Sequence, residues 1–461
     1  AQVAILAHAA TPHRLLGGGC RPSMNAGGIF FVLLLALRRV VLVGCQAGAT
    51  VSTHHAIIFD AGSSGSRVHV YTWRTGGAAG DFELVEDDLR KVKPGLSAFA
   101  SDPTAAGDSL ADLLRHAEEK VPKAMQASTP VFLMATAGLR SQGEQTAAAL
   151  LRSAGDALER SPFLFRREWA YILPGKEEGM YGWVTVNYLL GTLQGEPGAT
   201  SAAIDLGGGS VQLVYAAPPG YSRNDEHSGE VLFAGRQYDL YIASHLGFGL
   251  DRARERVASD LAQGKSTVAV EHPCVPAGYE QRLSTGGSEM LFIGTGSFPA
   301  CEGRYRELFA QNVPTECALP PCGALDSAGQ PPMPANIFGF SYLFDRTRAI
   351  GLFDGDAQVF GVEHTTVASI RRAAASICAL TPREAQRRFE ACEDASKWAN
   401  FCGDAVYIAV LLEVGFGLAP DANFTVGNKV AGVELVWTLG AAIARAASLS
   451  SREAPMASEE L

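Results

Sequence analysis

The sequence predicts a mixed α/β fold built from two related halves, and three observations support this prediction. Apolar runs typical of buried strands alternate with amphipathic runs typical of helices. A strand, a glycine-rich turn and a second strand occur at Ala56–Tyr71 and again at Ala202–Tyr215. The chain has 461 residues, 47% of them apolar and 19% charged, which suits two hydrophobic cores rather than a disordered chain.

The predicted elements follow in order along the chain. Four apolar runs that end on small residues are predicted strands: "HAIIFDAG", "VFLMATAG", "REWAYILPG" and "TSAAIDLGGG". Helical periodicity predicts helices over 111–127, 145–158, 369–376, 407–412 and 434–447. The run 238–264 predicts an amphipathic helical pair, and the proline-rich run 319–334 predicts a surface loop.

The N-terminal segment has the features of a targeting sequence. Gly27–Leu37 is an apolar run of signal-peptide length, followed by Arg38, Arg39 and small residues that suit a processing site. Read through to Gly44, the run approaches membrane-spanning length, although the arginine pair would then lie near the middle of the membrane at an energetic cost. We assign residues 1–51 to a signal or N-terminal anchor segment and prefer the secretory signal.

The cysteines agree with a secretory route. Cys20 and Cys45 lie in the N-terminal segment, and none of the nine cysteines shows the CxxC spacing of a metal site. The other seven cluster late in the chain: Cys274, Cys301, Cys317, Cys322, Cys378, Cys392 and Cys402. This clustering favours disulfides with one thiol left over, although scattered buried thiols are the alternative. The sequon at Asn423 is a candidate glycosylation site in that compartment.

The repeated hairpin is the strongest functional signal. Aligning Asp60 with Asp205 also aligns Gly62 with Gly207, at an offset of 145 residues. A glycine-permissive tip lets successive backbone amides face an anion, and two copies predict a phosphate held between two tips, with a metal near both aspartates. One copy alone would be equally well explained as an ordinary tight hairpin. The formal net charge of −10 argues against a nucleic-acid partner.

Five motifs in a fixed order give the sequence a family resemblance: "DAGSSGSR", "ATAGLR", "GKEEGMYGWVTVNYLLG", "DLGGGSVQ" and "VWTLGAAI". The paired hairpins resemble the actin, hexokinase and heat-shock ATPase superfamily. The five motifs together resemble the apyrases, or nucleoside triphosphate diphosphohydrolases, and most of all their plant and algal branch. This resemblance implies two RNase H-like lobes with mixed sheets and a nucleotide in the interlobe cleft. It places lobe I at 52–173 plus 429–461 and lobe II at 174–428.

The resemblance also implies roles for individual residues. Glu178 would be the general base, with Glu177 as the adjacent alternative, and Ser210 and Gln212 would position the attacking water. Asp60 and Asp205 would hold Ca²⁺ or Mg²⁺ through its water shell. Phosphate contacts are implied for Ser63, Ser64, Gly65, Ser66, Arg67, Thr136, Ala137, Arg140, Gly207, Gly208 and Gly209.

Two further sets of residues follow from the resemblance. Tyr342 and Phe416 would sandwich the nucleobase, although core packing explains Phe416 almost as well. The implied disulfides are Cys274–Cys301, Cys317–Cys322 and Cys378–Cys402, which leaves Cys392 unpaired.

The implied activity is metal-dependent removal of terminal phosphates from nucleoside tri- and diphosphates by direct attack of water, outside the cell or in the Golgi or ER lumen. A Golgi-type nucleoside diphosphatase is the first alternative. A kinase of the same superfamily is less favoured because it would need an acceptor substrate. A nucleotide-gated binding module would need a further partner domain, which we do not expect from the residues after Ala447.

Overall fold

Two mixed β-sheets form the framework of the structure, which is a computed structural model. It describes residues 51–76, 82–221, 227–265, 269–310, 323–325, 330–352, 362–390, 392 and 395–450. Among these residues the two main sheets have five and seven strands, accompanied by a three-stranded and a two-stranded sheet. All of them belong to one compact unit, residues 49–461. The structure confirms the predicted mixed α/β class.

The elements of the five-stranded sheet and its covering helices come first in the chain. The strands are β1 (Ser52–Ala61), β2 (Ser66–Thr75), β3 (Glu83–Val92), β4 (Val131–Ala135) and β5 (Ala170–Ile172). The helices are α1 (Pro103–Asp108), α2 (Ala111–Lys120), α3 (Lys123–Gln126), α4 (Ala137–Arg140) and α5 (Glu144–Glu159). Pro122 lies between α2 and α3, so the single helix predicted there is interrupted.

The remaining elements build the other sheets. The strands are β6 (Ala202–Leu206), β7 (Ser210–Ala216), β8 (Ser228–Phe233), β9 (Arg236–Leu246), β10 (Ala269–His272), β11 (Glu280–Thr285), β12 (Ser288–Gly294), β13 (Ile337–Ser341), β14 (Val362–Thr366), β15 (Asn423–Gly427), β16 (Lys429–Val430) and β17 (Val433–Glu434). The helices are α6 (Gly175–Leu189), α7 (Leu250–Ala262), α8 (Phe298–Ala310), α9 (Tyr342–Ala349), α10 (Val367–Cys378), α11 (Pro382–Phe389), α12 (Phe401–Val410) and α13 (Trp437–Ser450).

The two main sheets share one topology. The first has the order β3-β2-β1-β4-β5, with an antiparallel meander of β1, β2 and β3 and with β4 and β5 parallel to β1. The order β9-β7-β6-β13-β15 in the second sheet repeats this pattern of antiparallel and parallel pairs. The duplication visible in the sequence therefore extends from one hairpin to five strands of each lobe.

The two hairpins agree in register as well as in sequence. Asp60 pairs with Arg67 in the first hairpin, and Asp205 pairs with Gln212 in the second, which is the same pair at the offset of 145 residues. Each tip is closed by one backbone hydrogen bond, from Gly62 N to Gly65 O at 3.1 Å and from Gly207 N to Ser210 O at 3.0 Å.

Helices α6 and α13 pack against each other between the two sheets, and the core around them contains residues of both sheets. A side chain at Gly440 would place its Cβ 2.0 Å from the carbonyl oxygen of Tyr181, so only glycine allows this crossing. Thr185 fixes the contact, since its hydroxyl donates to Val436 O and accepts from Gly440 N, both at 2.8 Å. Because this core is shared, the exact lobe boundaries at 173/174 and 428/429 stay a prediction.

The helical pair predicted over 238–264 is wrong in its first half. Residues 236–246 form strand β9, which lies between β7 and β8, and only α7 is helical. Tyr238, Leu240 and Ile242 face the core between the sheets, whereas Tyr241 and Ala243 face the core on the other side. A strand buried on both faces is apolar throughout, and this pattern resembles that of a buried helix.

The structure contains the Cys274–Cys301 and Cys378–Cys402 disulfides, and Cys392 is a free thiol. Cys317 and Cys322 lie outside the described residues, as do Cys20, Cys45 and the targeting segment. Both observed bridges are in lobe II and tie α8 and α12 to their surroundings.

One helical stretch of the described chain, Ser396–Gly415, is long and apolar enough to cross a membrane. Of its most apolar window, 78% is buried inside the protein, and α12 packs against α8 and α10. This burial is typical of a core helix.

Candidate active site

The two hairpin tips and the start of α6 line a single cleft of about 670 Å³. Pockets that bind small-molecule ligands have volumes of this order. The cleft brings together nearly all of the residues to which the sequence assigned chemistry: Asp60, Ser63, Ser64, Gly65, Ser66, Arg67, Thr136, Ala137, Glu178, Asp205, Gly207, Gly208, Gly209, Ser210 and Tyr342. Residues up to 282 positions apart in the chain, Asp60 and Tyr342, thus form one site.

Close packing of α6 against β7 places Glu178 in this cleft. A Cβ at Gly179 would lie 2.9 Å from Val214 Cγ2 and 3.1 Å from Gln212 Cβ, so the glycine lets the first turn of α6 rest on the strand. Glu178 is 7% exposed and lines the cleft. Glu177 is half-buried, and the Tyr181 hydroxyl donates to it at 3.5 Å. The geometry therefore favours Glu178 over its neighbour as the functional carboxylate.

A network of hydrogen bonds holds one oxygen of Glu178. Arg140 Nη2 lies 2.7 Å from Oε2 and also donates to Ser210 Oγ at 2.9 Å. Gln212 Nε2 donates to Ser210 Oγ at 2.9 Å and lies 3.5 Å from the same Oε2. Among the described residues, no hydrogen bond is made to Oε1 of Glu178. That oxygen can accept a proton from a molecule in the cleft.

The charge state of Glu178 is set by its surroundings. Burial raises its pKa to about 7, Arg140 opposes this shift, and the negative charges of Asp205 and Asp60 reinforce it. A carboxylate with a pKa near neutrality is a far better proton acceptor than an exposed glutamate.

Ser210 has a defined role in this network. Its oxygen accepts hydrogen bonds from both Arg140 and Gln212. The hydroxyl proton is therefore left to point elsewhere, and Ser210 can donate to a water or a phosphate oxygen in the cleft. Arg140 also donates to Leu173 O at 2.8 Å, so its guanidinium is tied to protein atoms on three sides.

The two aspartates lie at the base of the hairpins and are both buried. Arg67 Nη1 donates to Asp60 Oδ2 at 3.0 Å, whereas Asp60 Oδ1 is buried without a hydrogen-bond partner in the described part of the chain. The hydroxyl of Ser66, which also lines the cleft, is equally buried and unpaired. Unpaired buried polar atoms are costly unless a ligand satisfies them.

Burial also raises the pKa of both aspartates, to about 6 for Asp205, where a hydrogen bond from Ser341 opposes the shift and Asp60 adds to it. Two carboxylates that repel each other in a buried site, with one oxygen unpaired, fit a hard divalent cation. No group of three or more metal-ligating side chains occurs among the described residues. Such a cation would take its other ligands from water and substrate.

Tyr342 lines the cleft but Phe416 does not. Tyr342 begins α9 and lines the cleft, but Phe416 is 3% exposed in the core of lobe II and is absent from the described residues that line the cleft. Phe344, Phe401 and Trp437 also line the cleft, and Phe401, at the start of α12, is the one that contacts the same arginine as Tyr342. The guanidinium carbon of Arg346 lies 4.8 Å from the Tyr342 ring centre and 5.1 Å from that of Phe401.

A buried ion-pair network fixes this aromatic end of the cleft. Asp404 is fully buried and accepts from Arg254 Nε at Oδ1 (2.5 Å) and from Arg254 Nη2 at Oδ2 (2.6 Å). Arg346 Nε lies 2.9 Å from the same Oδ2. The network connects α7, α9 and α12. Because each charge is paired, the arginine between the rings is held rather than mobile.

Sequence reasoning missed three residues of the site. Ser341 donates to Asp205 and has a φ of 57°, an uncommon backbone conformation for serine. Phe401 and Arg346 occupy the aromatic end. Only Ser341 left a signal, because "FGFS" ends a strand beside the second hairpin as "FLMAT" does beside the first.

Comparison with known proteins agrees with this geometry. A family model described as the GDA1/CD39 (nucleoside phosphatase) family matches residues 48–458. "Probable apyrase 1" of Oryza sativa subsp. japonica is 35% identical over 420 residues, which cover 86% of this chain and 83% of the relative. A "Guanosine-diphosphatase" of Schizosaccharomyces pombe is 32% identical over 420 residues, which cover 84% of this chain and 73% of the relative.

A solved structure of nucleoside triphosphate hydrolases from Neospora caninum shares the fold. Its TM-score is 0.62 at 16% identity, and the match covers 88% of this chain and 94% of that one. Together with the matched motifs and the paired hairpins, these likenesses confirm the resemblance to the apyrases. The chain belongs to the GDA1/CD39 family of nucleoside phosphatases.

Proposed function

We propose that the chain hydrolyses the terminal phosphates of nucleoside tri- and diphosphates by direct attack of water, with Glu178 as the general base. One observation carries the proposal: a buried carboxylate with a pKa of about 7 lies in a cleft whose wall consists of two phosphate-type hairpin tips. The names of the relatives, an apyrase and a guanosine-diphosphatase, support this class of substrate.

The attacking water is held by side chains of α6 and β7. Ser210 donates a hydrogen bond to it, and Glu178 Oε1 accepts one of its protons as the bond to phosphorus forms. The bond from the terminal phosphorus to the bridging oxygen breaks, and the shortened nucleotide leaves with that oxygen. Arg140 and Gln212 both contact Glu178 Oε2 and Ser210 Oγ, so they hold the base at a fixed distance from the water-binding hydroxyl. No covalent phosphoenzyme is required.

The phosphates bind between the hairpin tips. Ser63, Ser64 and Gly65 of one tip and residues 207–209 of the other line the cleft. Their backbone amides would donate to the phosphates, and amides fixed by a tight turn need no reorganisation as charge develops on the phosphoryl oxygens. Thr136 and Ala137, at the start of α4, line the same wall. Arg67 contributes through Asp60, which it orients.

Asp60 and Asp205 would hold the divalent cation, Ca²⁺ or Mg²⁺, which when bound neutralises phosphate charge. Their own role is to present hard oxygen ligands from the base of each hairpin. The Ser341 hydroxyl keeps Asp205 oriented, as Arg67 does for Asp60.

The nucleobase stacks at the aromatic end, on Tyr342 and Phe401. We replace the expected Tyr342 and Phe416 pair with this one because Phe401 lines the cleft and contacts the same guanidinium as Tyr342, whereas Phe416 does not line the cleft. Stacking tolerates every base, since each has a π-face. This arrangement suits both a broad apyrase and a nucleoside diphosphatase. Because one relative is named a guanosine-diphosphatase, the nucleoside diphosphatase is our alternative to the apyrase.

The disulfides support a secretory-pathway location, because such bonds persist in oxidising compartments. Asn423 is exposed at the start of β15, where an oligosaccharide could be attached. We therefore propose a secreted or lumenal enzyme.

Phosphate release from ATP, ADP, GDP and UDP, with Ca²⁺ or Mg²⁺, tests the function directly. We expect phosphate from tri- and diphosphates without any acceptor substrate, and loss of activity in chelator. A requirement for an acceptor would identify a kinase, and undiminished turnover in chelator would refute the cation site. Turnover of diphosphates alone would identify the diphosphatase.

Replacing the base should stop chemistry without stopping binding. Glu178→Gln is expected to lower kcat about 10²- to 10⁴-fold, the usual contribution of a general base, with KM changed little. The matched control is Glu177→Gln, one residue away and bonded to Tyr181, which should keep near-normal kcat. If both variants lose activity equally, the assignment to Glu178 is wrong.

The pH profile should report the ionisation of Glu178. Only the carboxylate accepts a proton, so kcat/KM is expected to fall about tenfold per pH unit below its pKa. The profile should bend near pH 7 or lower, since a bound cation offsets the raising effect of Asp60 and Asp205. In Arg140→Met the opposing positive charge is lost, and the bend should move to higher pH. If the pH of the bend is the same in Arg140→Met and in the wild type with the same substrate, the bend does not report the ionisation of Glu178.

The aromatic assignment can be tested with a substrate that lacks a base. Tyr342→Ala and Phe401→Leu should raise KM for ADP and GDP about 5- to 100-fold, as expected for the loss of one stacked base, but leave KM for inorganic tripolyphosphate unchanged. Phe416→Leu is the matched core control. An equal rise in KM for nucleotides in Phe416→Leu would restore the original pair.

A further inference from the structure

A buried glycine packs against the back of each of the two hairpin tips. Gly249 follows β9, and a Cβ at this position would lie 2.4 Å from Gly208 C and 2.5 Å from both Gly208 O and Gly209 N. Gly95 follows β3, and a Cβ there would lie 2.2 Å from Gly62 O. Cβ atoms do not approach backbone atoms this closely in close-packed proteins. A larger residue at either position would therefore force the tip or the turn behind it to move.

The two glycines occupy equivalent positions in the two lobes. Strands β3 and β9 have the same place beside the hairpins, in the orders β3-β2-β1 and β9-β7-β6. Each glycine lies directly before a helix, which is α7 for Gly249 and the short 3₁₀ helix Leu96–Phe99 for Gly95. Their backbone angles agree as well, with φ −74° and ψ 165° at Gly95 and φ −72° and ψ 161° at Gly249. The internal duplication therefore includes the turn behind each tip.

Space, and not backbone freedom, requires glycine at both positions. The φ angles are negative and the ψ angles extended, a conformation that every L-residue adopts. Neither glycine uses the left-handed region that favours glycine elsewhere. Alanine at Gly95 or Gly249 would therefore cause no strain in its own backbone, and its methyl group would act by pushing on the tip.

The turn after β9 and the first turn of α7 also hold the carbonyl groups of the second tip. The hydrogen bonds run from Leu250 N to Gly207 O at 2.9 Å, from Asp251 N to Gly208 O at 3.1 Å, from Arg252 N to Gly208 O at 3.2 Å and from Gly247 N to Gly209 O at 2.9 Å. The first N–H groups of a helix have no partner within the helix. Helix α7 thus uses these groups to fix the tip.

These bonds set the direction of the tip amides. In a trans peptide the C=O of one residue and the N–H of the next point in opposite directions. Because the carbonyls of Gly207 and Gly208 point at α7, the N–H groups of Gly208 and Gly209 point away from it. Among the described residues, neither N–H donates to a backbone oxygen, and the cleft is lined by both glycines but by no residue of α7. The two N–H groups are therefore available to a ligand in the cleft.

The first tip has the same contact without these hydrogen bonds. The Cβ position of Gly95 lies 2.2 Å from Gly62 O and 3.0 Å from Ser63 O. The carbonyls of this tip therefore face the turn after β3, as those of the second tip face α7. No backbone hydrogen bond joins Gly95 to the tip in the part of the chain that the structure describes. Packing on the glycine maintains the direction of this tip.

We propose that Gly95 and Gly249 are positioning residues for phosphate binding, because each lets a turn pack behind its tip and so fixes the direction of the tip amides. This inference rests on the proposed function, in which those amides donate to the phosphates. A methyl group at Gly249 would push Gly208 away from α7 and turn its N–H out of line with the terminal phosphate. A donor that is misplaced when negative charge develops loses most of its effect on the transition state.

Alanine substitution tests the proposal, and the chain offers a matched control. Gly143 also lies directly before a helix, α5, with φ −63° and ψ 148°, but a Cβ there would have no neighbour within 4 Å. In Gly249→Ala and in Gly95→Ala we expect kcat for ADP and for inorganic tripolyphosphate to fall about 10²- to 10³-fold, the usual cost of one lost oxyanion donor. In Gly143→Ala both values should stay near those of the wild type.

Two further measurements separate positioning from folding. Loss of folded enzyme lowers kcat but leaves KM unchanged, whereas displaced amides also weaken phosphate binding, so KM for both substrates should rise. Amide hydrogen exchange needs no turnover. In Gly249→Ala the amides of residues 250–252 should exchange about tenfold faster or more, since their hydrogen bonds to the tip are lost, and in Gly143→Ala they should exchange as in the wild type.

Three results would overturn the proposal. Near-normal kcat and KM in Gly249→Ala and Gly95→Ala would show that the tips tolerate a methyl group behind them. A lower kcat with unchanged KM and unchanged exchange would leave the glycines a role in folding alone. An equal loss of activity in Gly143→Ala would show that the effect is not specific to the tips. A wild type that releases no phosphate from nucleotides would refute the proposed function, and the exchange rates would still decide whether Gly249 positions the tip.

Discussion

The packing of α6 between the two sheets decides where the functional groups of the cleft lie. Its first turn touches β7 through Gly179, and the helix crosses α13 where Gly440 meets the Tyr181 carbonyl. A larger side chain at Gly179 or Gly440 would push α6 away from its neighbour and stretch the hydrogen bonds around Glu178. The close approach of α6 to β7 and to α13 therefore places Glu178 beside Ser210 and Gln212. The hydrogen bonds among these side chains then adjust positions that packing has already fixed.

The three carboxylates of the cleft follow one electrostatic pattern. Each is buried, each has a raised pKa, and each is oriented by a different donor: Arg67 for Asp60, Ser341 for Asp205 and Arg140 for Glu178. The donors hold the carboxylates in place without cancelling their mutual repulsion. A divalent cation held by Asp60 and Asp205, as proposed, would relieve that repulsion and neutralise substrate and protein charge together. The base at the edge of this group keeps a pKa suited to neutral pH.

The sequence predicted the repeated hairpins and amphipathic helices such as α5 and α10 well, but it failed for strand β9 and for the aromatic end of the cleft. The hairpin around Asp60 and Asp205 could be predicted because turn geometry demands glycine at fixed positions, and a duplicated pattern doubles the signal. Strand β9 was mistaken for a helix because a strand buried on both faces loses the alternation that identifies strands. Phe401 was missed because stacking requires only an aromatic ring in the right place. No local pattern separates it from Phe416, which packs in the core.

The packing of α6 on α13 also makes the cleft depend on a late part of the chain. Both hairpins, the base and the metal ligands precede Trp437 in the chain, but the helix that seats α6 follows it. A nascent chain that ends before α13 carries every catalytic side chain and still lacks the crossing at Gly440. We therefore expect a chain truncated before Trp437 to lose the contact that seats α6, and with it the position of Glu178 in the cleft.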